Sequence, residues 1–229
     1  MVMTKEQQAQ IDKQLAAHEH EDYKVDINLT EGVVLNDFQV NRDVFRTDVT
    51  YSKFFAQWLF FNQDLYQGKK VLDVGCGTGI LGIVMALHGA DQVDFTDLSE
   101  PAVNNTKSNL DQYGLEAKVL QGDLFEKVDG KYDIIVFNHP FFSGEPIDGG
   151  IVSNSMLGGT ELFSRALEEA KSYLSDSGIF LTTYWGFAGP ENDPQVQGLK
   201  SGYEVKEKFT LGVESGLQLG DLSIYELGR

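Results

Sequence analysis

The amino-acid sequence predicts an α/β protein with a doubly wound, mostly parallel sheet and an antiparallel hairpin at one edge. Three observations predict this fold. From Lys70 onward, apolar strand patterns alternate with helical patterns. The strand at Val71–Val74 leads directly into a glycine-rich loop and then a helix. The last third of the chain contains two successive strand patterns without a helix between them. Apolar strands that alternate with helices are typical of a parallel sheet covered on both faces.

The N-terminal part differs in composition from the rest of the chain. Residues 1–31 are strongly polar, and Lys5–Glu21 has a helical composition, so we expect a short N-terminal helix or tail there. Residues 32–229 are expected to form the main domain. In its first part, Val33–Val40 is predicted to be a short hairpin around Asn36 and Asp37. The aromatic-rich stretch Tyr51–Leu65 is predicted to be a helix whose apolar stripe belongs to the core.

The alternating part of the chain supplies the strands and helices of the sheet. The predicted strands are Val71–Val74, Gln92–Thr96, Lys118–Leu120, Tyr132–Phe137, Ile179–Tyr184, Tyr203–Leu211 and Leu217–Leu227. The predicted helices are Ile80–Ala90, a helix capped by Ser99, and Thr160–Leu174. Because a short glycine-containing segment joins the last two strands, they should form the antiparallel edge.

Composition limits the possible functions. The 229 residues are 41% hydrophobic and 23% charged, with a net charge of −17. This charge argues against strong binding of free nucleic acid by the chain alone, and favours a protein or small-molecule substrate, or a nucleic acid presented with a helper subunit. A single cysteine, a polar N-terminus and the lack of a long apolar run lead us to expect a cytoplasmic protein that does not enter the membrane. We expect no metal site.

The glycine-rich loop reads Asp73-x-Gly75-x-Gly77-x-Gly79, and its spacing restricts the ligand. The dinucleotide fingerprint requires a small residue at position 80, where this chain has isoleucine, and the phosphate-binding Lys-Ser/Thr signature is missing. Cys76 is interpreted as a small residue that fits the turn, and Gly82 as one that permits close helix packing.

This pattern resembles the first motif of class I S-adenosylmethionine-dependent methyltransferases. The resemblance implies a Rossmann-like, seven-stranded sheet and a loop that wraps the methionine and ribose parts of the cofactor. It also implies that Asp73 holds the amino end, often through water. Asp97 follows the second strand by the spacing expected of a ribose-binding acid, and Leu98 would pack on adenine.

A third match follows the third strand, where the family places an acid near adenine. The resemblance implies that Asp123 accepts a hydrogen bond from the adenine amino group and that the backbone of Leu124 meets the ring. The segment Val44–Asp48 lies where relatives carry a cofactor cover. The expected cofactor contacts are Phe45, Asp73, Gly75, Cys76, Gly77, Gly79, Asp97, Leu98, Asp123, Leu124 and Asn138.

After the fourth strand, Asn138-His139-Pro140-Phe141 resembles the Asn-Pro-Pro-Tyr/Phe motif of methyltransferases that act on planar nitrogens. The resemblance implies that Asn138 and the carbonyl of His139 accept hydrogen bonds from the two N–H groups of the target nitrogen, and that Phe141 stacks on the target. Pro140 fixes the loop through its locked φ. His139 replaces the first proline of the motif and is interpreted as loop filler or a substrate contact, with a role as base left open.

The segment after this motif should recognise the substrate. Residues 142–160 form a long Gly- and Ser-rich stretch, which is typical of a lid or recognition loop. It ends in Leu157–Leu162, which loosely resembles a segment of the glutamine methyltransferases that act on release factors. We therefore expect an N-methyltransferase acting on a glutamine-like amide of a protein. The alternatives are an exocyclic amine of rRNA or tRNA, a small molecule, or a catalytically silent S-adenosylmethionine-binding partner protein.

Overall fold

The computed structural model describes residues 4–48, 51–142, 156–215 and 218–229. Its helices are α1 (Lys5–Ala17), α2 (Tyr51–Phe61), α3 (Ile80–Leu87), α4 (Glu100–Gln112), α5 (Gly159–Ala170) and α6 (Pro194–Lys200). Its strands are β1 (Tyr23–Thr30), β2 (Val33–Val40), β3 (Lys70–Val74), β4 (Gln92–Asp97), β5 (Val119–Gln121), β6 (Tyr132–Phe137), β7 (Leu174–Trp185), β8 (Glu204–Ser215) and β9 (Gln218–Gly228).

The predicted fold class is confirmed. Strands β3 to β9 form a seven-stranded sheet in the order β5-β4-β3-β6-β7-β9-β8. The first five are parallel, and β9 pairs antiparallel with both β7 and β8. From β3 the chain adds strands on one side and from β6 on the other, so a topological switch point lies between β3 and β6. Ligands of doubly wound sheets bind at such a point, outside the carboxyl ends of the strands.

The two faces of the sheet carry separate apolar clusters. One cluster joins β3, β4 and β6 to α2, α3 and the β1–β2 hairpin, with Phe55, Leu59 and Ile83 fully buried. The other joins the sheet to α5 through Phe163 and Leu167, which are also fully buried. Both faces are therefore covered, which explains why the parallel strands read as apolar runs.

The prediction of a hairpin within Val33–Val40 was wrong. This stretch is the single strand β2, which pairs antiparallel with β1 across a turn at Glu31 and Gly32. Asn36 and Asp37 lie where two residues of β2 face only one residue of β1, and Asp37 has a φ of 54°. The turn-like residues therefore mark a β-bulge, because asparagine and aspartate tolerate the left-handed conformation.

The N-terminal helix forms as α1. Thr4 accepts a hydrogen bond from the backbone N–H of Gln7, whose side chain bonds back to Thr4, so both orphan donors are satisfied. Ile11 is fully buried against the residues that follow β6. The division of the chain at residues 31 and 32 stays a prediction, and the turn between β1 and β2 lies there. In the described ranges, every helix is too short or too polar to cross a bilayer.

Three predicted helices are longer than the observed ones. α3 ends at Leu87, before the predicted Ala90. α2 ends at Phe61 and is followed by a separate 3-10 turn at Gln63–Leu65. α5 ends at Ala170 because Leu174, predicted as its last residue, opens β7 and pairs with Tyr132. Ser99 caps α4 as predicted, accepting a hydrogen bond from the backbone of Ala102.

Candidate active site

The glycine loop between β3 and α3 is shaped by three left-handed residues. Gly75, Gly77 and Gly79 have φ values of 61°, 57° and 82°, which other residues adopt only with strain. A Cβ on Gly75 would lie 2.9 Å from the Phe137 ring, whereas one on Gly77 would meet no atom within 4 Å. Gly77 thus leaves open space in the cavity that its loop borders.

Asp73 lies at the end of β3 beneath this loop. It is almost completely buried, and its carboxylate accepts a hydrogen bond of 2.9 Å from the backbone N–H of Gly82. Burial raises the pKa of Asp73 well above its usual range, and the charge of Asp97 acts in the same direction. Gly82 packs closely as predicted, because a Cβ there would lie 2.2 Å from the ring of Phe95. The predicted contact of Asp73 with the cofactor stays a prediction.

Asp97 ends β4 and faces the glycine loop. One carboxylate oxygen accepts a hydrogen bond from the Gly77 N–H at 2.9 Å, and the other accepts one from the Ser99 N–H at 2.8 Å. Burial raises its pKa, and the backbone donors partly oppose that shift. Next to it, the side chain of Leu98 is 69% exposed at the cavity wall, so its apolar surface is accessible to a ligand.

Asp123 follows β5 at the opposite rim of the cavity. Its carboxylate forms a bidentate ion pair with the Arg165 guanidinium of α5, at 2.6 and 2.7 Å. A carboxylate has further lone pairs, so this pair leaves acceptor positions for an adenine amino group. Leu124 has a φ of 47°, a strained conformation for leucine that occurs mainly where the backbone has a function.

The segment Val44–Asp48 lies over the glycine loop. Phe45 borders the cavity and stacks on the ring of His18, with 3.9 Å between ring centroids. The hydroxyls of Thr47 and Thr78 are hydrogen-bonded at 2.5 Å, which joins this segment to the loop. Arg46 donates to the last carbonyl of α1, that of Ala17. The contact of this segment with α1 was not expected from the sequence, and its role as a cofactor cover stays a prediction.

Asn138 lies directly after β6, and its carboxamide is held at both ends. Its Nδ2 donates to the Ser52 hydroxyl of α2 at 2.9 Å, and its Oδ1 accepts from the Thr183 hydroxyl of β7 at 2.5 Å. Neither partner was expected from the sequence. The one feature of the sequence that could have indicated a role for Thr183 is the pair of adjacent threonines in the otherwise apolar stretch Ile179–Tyr184.

His139 is buried beneath the loop. Its ring stacks on Phe163 with a centroid separation of 3.9 Å, and its Nδ1 bonds the Thr182 hydroxyl at 2.9 Å. Burial lowers the pKa of His139 to about 3, so the imidazole is neutral at pH 7. Such a weak base disfavours the proton-acceptor role and supports the interpretation as loop filler.

Pro140 and Phe141 complete the loop and pack against α5 and α2. A Cβ on Gly159, the first residue of α5, would lie 2.0 Å from the Pro140 carbonyl oxygen. The ring of Phe141 is 7% exposed and meets Tyr51 edge to face at 4.8 Å. Both residues border the cavity. Stacking of Phe141 on a substrate stays a prediction, and most of the adjoining recognition loop, residues 143–155, lies outside the described residues.

The predicted contacts other than Gly79 line one cavity of about 400 Å³ at the switch point of the sheet. It joins the glycine loop to Asn138 and continues to residues that the sequence did not single out, among them Gln14, Tyr51, Ser52 and Trp185. Carboxylates line it, and none of its described lining residues is a lysine or arginine. The described ranges contain no group of three or more His, Cys, Asp or Glu residues arranged to hold a metal ion.

The fold and the cavity define an α/β protein that binds a ligand across the carboxyl ends of its central strands. The chain belongs to the methyltransferase small domain family, whose sequence model matches residues 46–184. The match begins in the cover segment and ends in β7, and it includes the glycine loop and Asn138. This confirms the methyltransferase resemblance that the sequence motifs indicated.

Several known proteins resemble the chain. A ribosomal RNA small subunit methyltransferase C from Alcanivorax borkumensis is 32% identical over 134 residues, covering 58% of this chain and 36% of that protein. A proposed protein N5-glutamine methyltransferase from Methanocaldococcus jannaschii is 32% identical over 118 residues, covering 49% and 60%. The chain therefore spans less than two thirds of the length of these relatives.

A solved structure shares the fold. The 16S rRNA N2 methyltransferase of T. thermophilus, in complex with AdoMet and guanosine, superposes with a TM-score of 0.67 at 19% identity. The superposition covers 92% of this chain and 51% of the other. At this identity, the comparison supports the fold.

Proposed function

We propose that this protein is an S-adenosylmethionine-dependent N-methyltransferase that modifies a planar amide or amino nitrogen of a protein. The observation that carries the proposal is the single cavity that joins the glycine loop to the Asn138-His139-Pro140-Phe141 loop. Membership of the methyltransferase small domain family supports the reaction class. S-adenosylmethionine would supply the methyl group when bound.

The residues present fit this cofactor. The open space beside Gly77 admits a ligand against bare backbone, and Asp97 borders it with a carboxylate whose pKa burial has raised. The side chain of Leu98 offers an exposed apolar surface next to it.

The Asn138 loop suits a planar nitrogen. The lone pair of an amide or ring amine is delocalised, so the nitrogen is a poor nucleophile that needs exact positioning more than a base. Asn138 Oδ1 and the backbone carbonyl of His139 are acceptors for the two N–H bonds of such a group. Holding reactants in line can lower a barrier by several kcal/mol, about 7–11 in favourable cases.

Charge favours a protein as the methyl acceptor. Asp73, Asp97, Glu100 and Asp123 all line the cavity, and the chain carries a net charge of −17. Phosphate groups are repelled by such a surface, whereas a cationic peptide segment is attracted. The protein glutamine methyltransferase among the relatives agrees with this choice.

A second candidate is methylation of an exocyclic amine in RNA. The relative from A. borkumensis is named for that class of substrate, and the Asn138 loop suits a nucleobase amine equally well. Because the chain is acidic, this reaction would require a basic partner subunit to hold the RNA.

The experiment is methyl labelling followed by selective digestion. The purified protein is incubated with S-adenosylmethionine carrying a tritiated methyl group and a cell extract, and the product is treated with protease or with nuclease. We expect label that protease releases and nuclease does not, at a rate that salt lowers because the attraction is electrostatic.

Paired variants link the label to the site. Asn138→Ala should abolish transfer while cofactor binding, measured by calorimetry, persists. Asn104→Ala is the matched control, since Asn104 is an exposed residue of α4 that does not line the cavity. Label that only nuclease releases would refute the protein substrate, and turnover that Asn138→Ala leaves intact would refute the assignment of the site.

A further inference from the structure

The carboxamide of Asn138 is held by two hydroxyl groups that come from distant parts of the chain. Ser52 lies 86 residues before Asn138, in α2, and Thr183 lies 45 residues after it, in β7. Both partners are largely buried, with 9% and 1% of their surfaces exposed. The two bonds are partly buried at the wall of the cavity, which Ser52 and Asn138 line.

The neighbouring threonine holds the backbone on the other side. Side chains of successive strand residues point in opposite directions, and Thr182 donates to the Phe137 carbonyl at 2.8 Å. A hydroxyl has one proton to give, so the contact between Thr182 and His139 has Nδ1 of the imidazole as donor. Thr182 and Thr183 thus form hydrogen bonds with three consecutive residues, 137 to 139, at the end of β6.

The carboxamide of Asn138 can act as an acceptor only if its rotation is restrained. Rotation about the last torsion of an asparagine is broad and roughly two-fold, so an unrestrained amide exchanges its oxygen and nitrogen ends. Only the oxygen can accept the N–H of a target group. Thr183 donates to Oδ1 and Nδ2 donates to Ser52, so both ends of the carboxamide are held in this orientation, and Oδ1 keeps a second lone pair.

We propose that Ser52 and Thr183 are positioning residues that lock the Asn138 carboxamide as a hydrogen-bond acceptor for the methyl-accepting nitrogen. This inference rests on the proposed function for its consequence in catalysis, whereas the lock itself is a property of the protein alone. Ser52 lies on α2, the helix that follows the segment Val44–Asp48. Its hydrogen bond to Asn138 therefore also connects α2 to the Asn138 loop on the other side of the cavity.

The test compares variants at position 183 and at position 52. Thr183→Val preserves the shape of the side chain and removes the hydroxyl, Thr183→Ser keeps the hydroxyl, and Ser52→Ala removes the other partner. Thr210→Val is the matched control, because Thr210 also shares a hydroxyl hydrogen bond, with Ser223, on the edge hairpin.

Two readouts separate positioning from general damage. The first is the rate of methyl transfer from labelled S-adenosylmethionine to the protein fraction of a cell extract, together with cofactor affinity by calorimetry. We expect Thr183→Val and Ser52→Ala to lower the rate by up to about 10²-fold with unchanged cofactor affinity. Thr183→Ser and Thr210→Val should retain it.

The second readout needs no substrate. In ¹⁵N-labelled protein with S-adenosylmethionine, the Asn138 side-chain amide resonances are assigned by their loss in Asn138→Asp. Thr183→Val and Ser52→Ala should shift and broaden them, and Thr183→Ser should not. Unaltered resonances in both hydroxyl-deletion variants would overturn the lock, as would full transfer rates in both.

The two proposals fail in different ways. A wild-type protein that transfers no methyl group to any fraction would refute the proposed function, while the resonances would still decide whether the lock exists. If Thr183→Val does not fold, as judged by circular dichroism, Ser52→Ala and Thr183→Ser carry the decision.

Discussion

Replacement of Gly159 by alanine should impair catalysis more than it impairs folding. Gly159 is the first residue of α5, and its added Cβ would lie 2.0 Å from the oxygen and 2.8 Å from the carbon of the Pro140 carbonyl. Real Cβ contacts do not fall below 3.0 Å, so the loop and helix must separate by about 1 Å. Backbone atoms form this contact, and rotation of a side chain cannot relieve it.

The magnitudes follow from that displacement. Overpacking of this kind lowers the unfolding free energy by about 1–3 kcal/mol. The higher helix propensity of alanine offsets up to about 1 kcal/mol of this loss. The net loss of unfolding free energy should thus be modest. A misplacement of about 1 Å at a positioning site can cost about 10²-fold in rate, and Asn138 lies only two residues from Pro140.

The assay pairs urea unfolding with methyl transfer. Gly228→Ala serves as control, because a Cβ there meets no atom within 4 Å and Gly228 is the last residue of β9. We expect Gly159→Ala to lose most of its transfer rate and Gly228→Ala to lose none. A Gly159→Ala protein with wild-type stability and a wild-type rate would show that the contact with Pro140 does not restrain the loop.

Three further predictions concern other parts of the site. Asp97→Asn should weaken S-adenosylmethionine binding by about 10–100-fold in calorimetry. The NH2 group of the asparagine would have to face the N–H of Gly77 or of Ser99, where each carboxylate oxygen now accepts a hydrogen bond. An unchanged affinity would exclude Asp97 from the cofactor site. The unfolded form of His139 titrates near 6.5 and the folded form near 3, so the unfolded chain binds more protons between these values. The unfolding free energy should therefore fall as the pH is lowered through this window, by up to about 1.4 kcal/mol per pH unit from this group. His139→Phe, which keeps a ring against Phe163, should reduce that slope in urea titrations at several pH values, and an identical slope would contradict the burial argument. Arg165→Ala should lower the unfolding free energy by less than about 1 kcal/mol, because Arg165 and Asp123 are 46% and 41% exposed; a larger loss by urea unfolding would show that the pair is shielded from solvent.

The sheet could be predicted because its signals are local. Apolar strands, the glycine loop and the Ser99 cap are each contained in a few consecutive residues, and the strand Tyr132–Phe137 was predicted with its observed bounds. The β1–β2 hairpin could not be predicted correctly for the same reason. Asn36 and Asp37 have the local chemistry of a turn, and only pairing with the distant Tyr23–Thr30 shows that they form a bulge.

The N-terminal helix illustrates a second limit of sequence reasoning. Its composition is polar, and only the fully buried Ile11 and the cavity-lining Gln14 reveal that α1 forms part of the site. Ile11 and Leu15, one turn apart, are its only large apolar side chains, and two such residues do not produce a helical stripe that a sequence pattern detects. Its importance comes from the surface it meets, which is assembled from residues near 141, 157 and 185.

The cavity therefore has two halves that are encoded differently. The half proposed to bind the cofactor consists of short motifs that each follow one strand, so they can be located from the sequence. The half proposed to bind the acceptor is assembled from α1, α2, the Asn138 loop and β7, whose residues are far apart in the chain. Substitutions in these elements can alter the position or identity of the methyl acceptor without touching the groups that bind the cofactor. Family membership rests on the local motifs. It therefore indicates which molecule donates the methyl group more clearly than which molecule accepts it. The proposed roles of the Ser52 and Thr183 hydroxyls therefore concern the position of the methyl acceptor, and not the binding of the methyl donor.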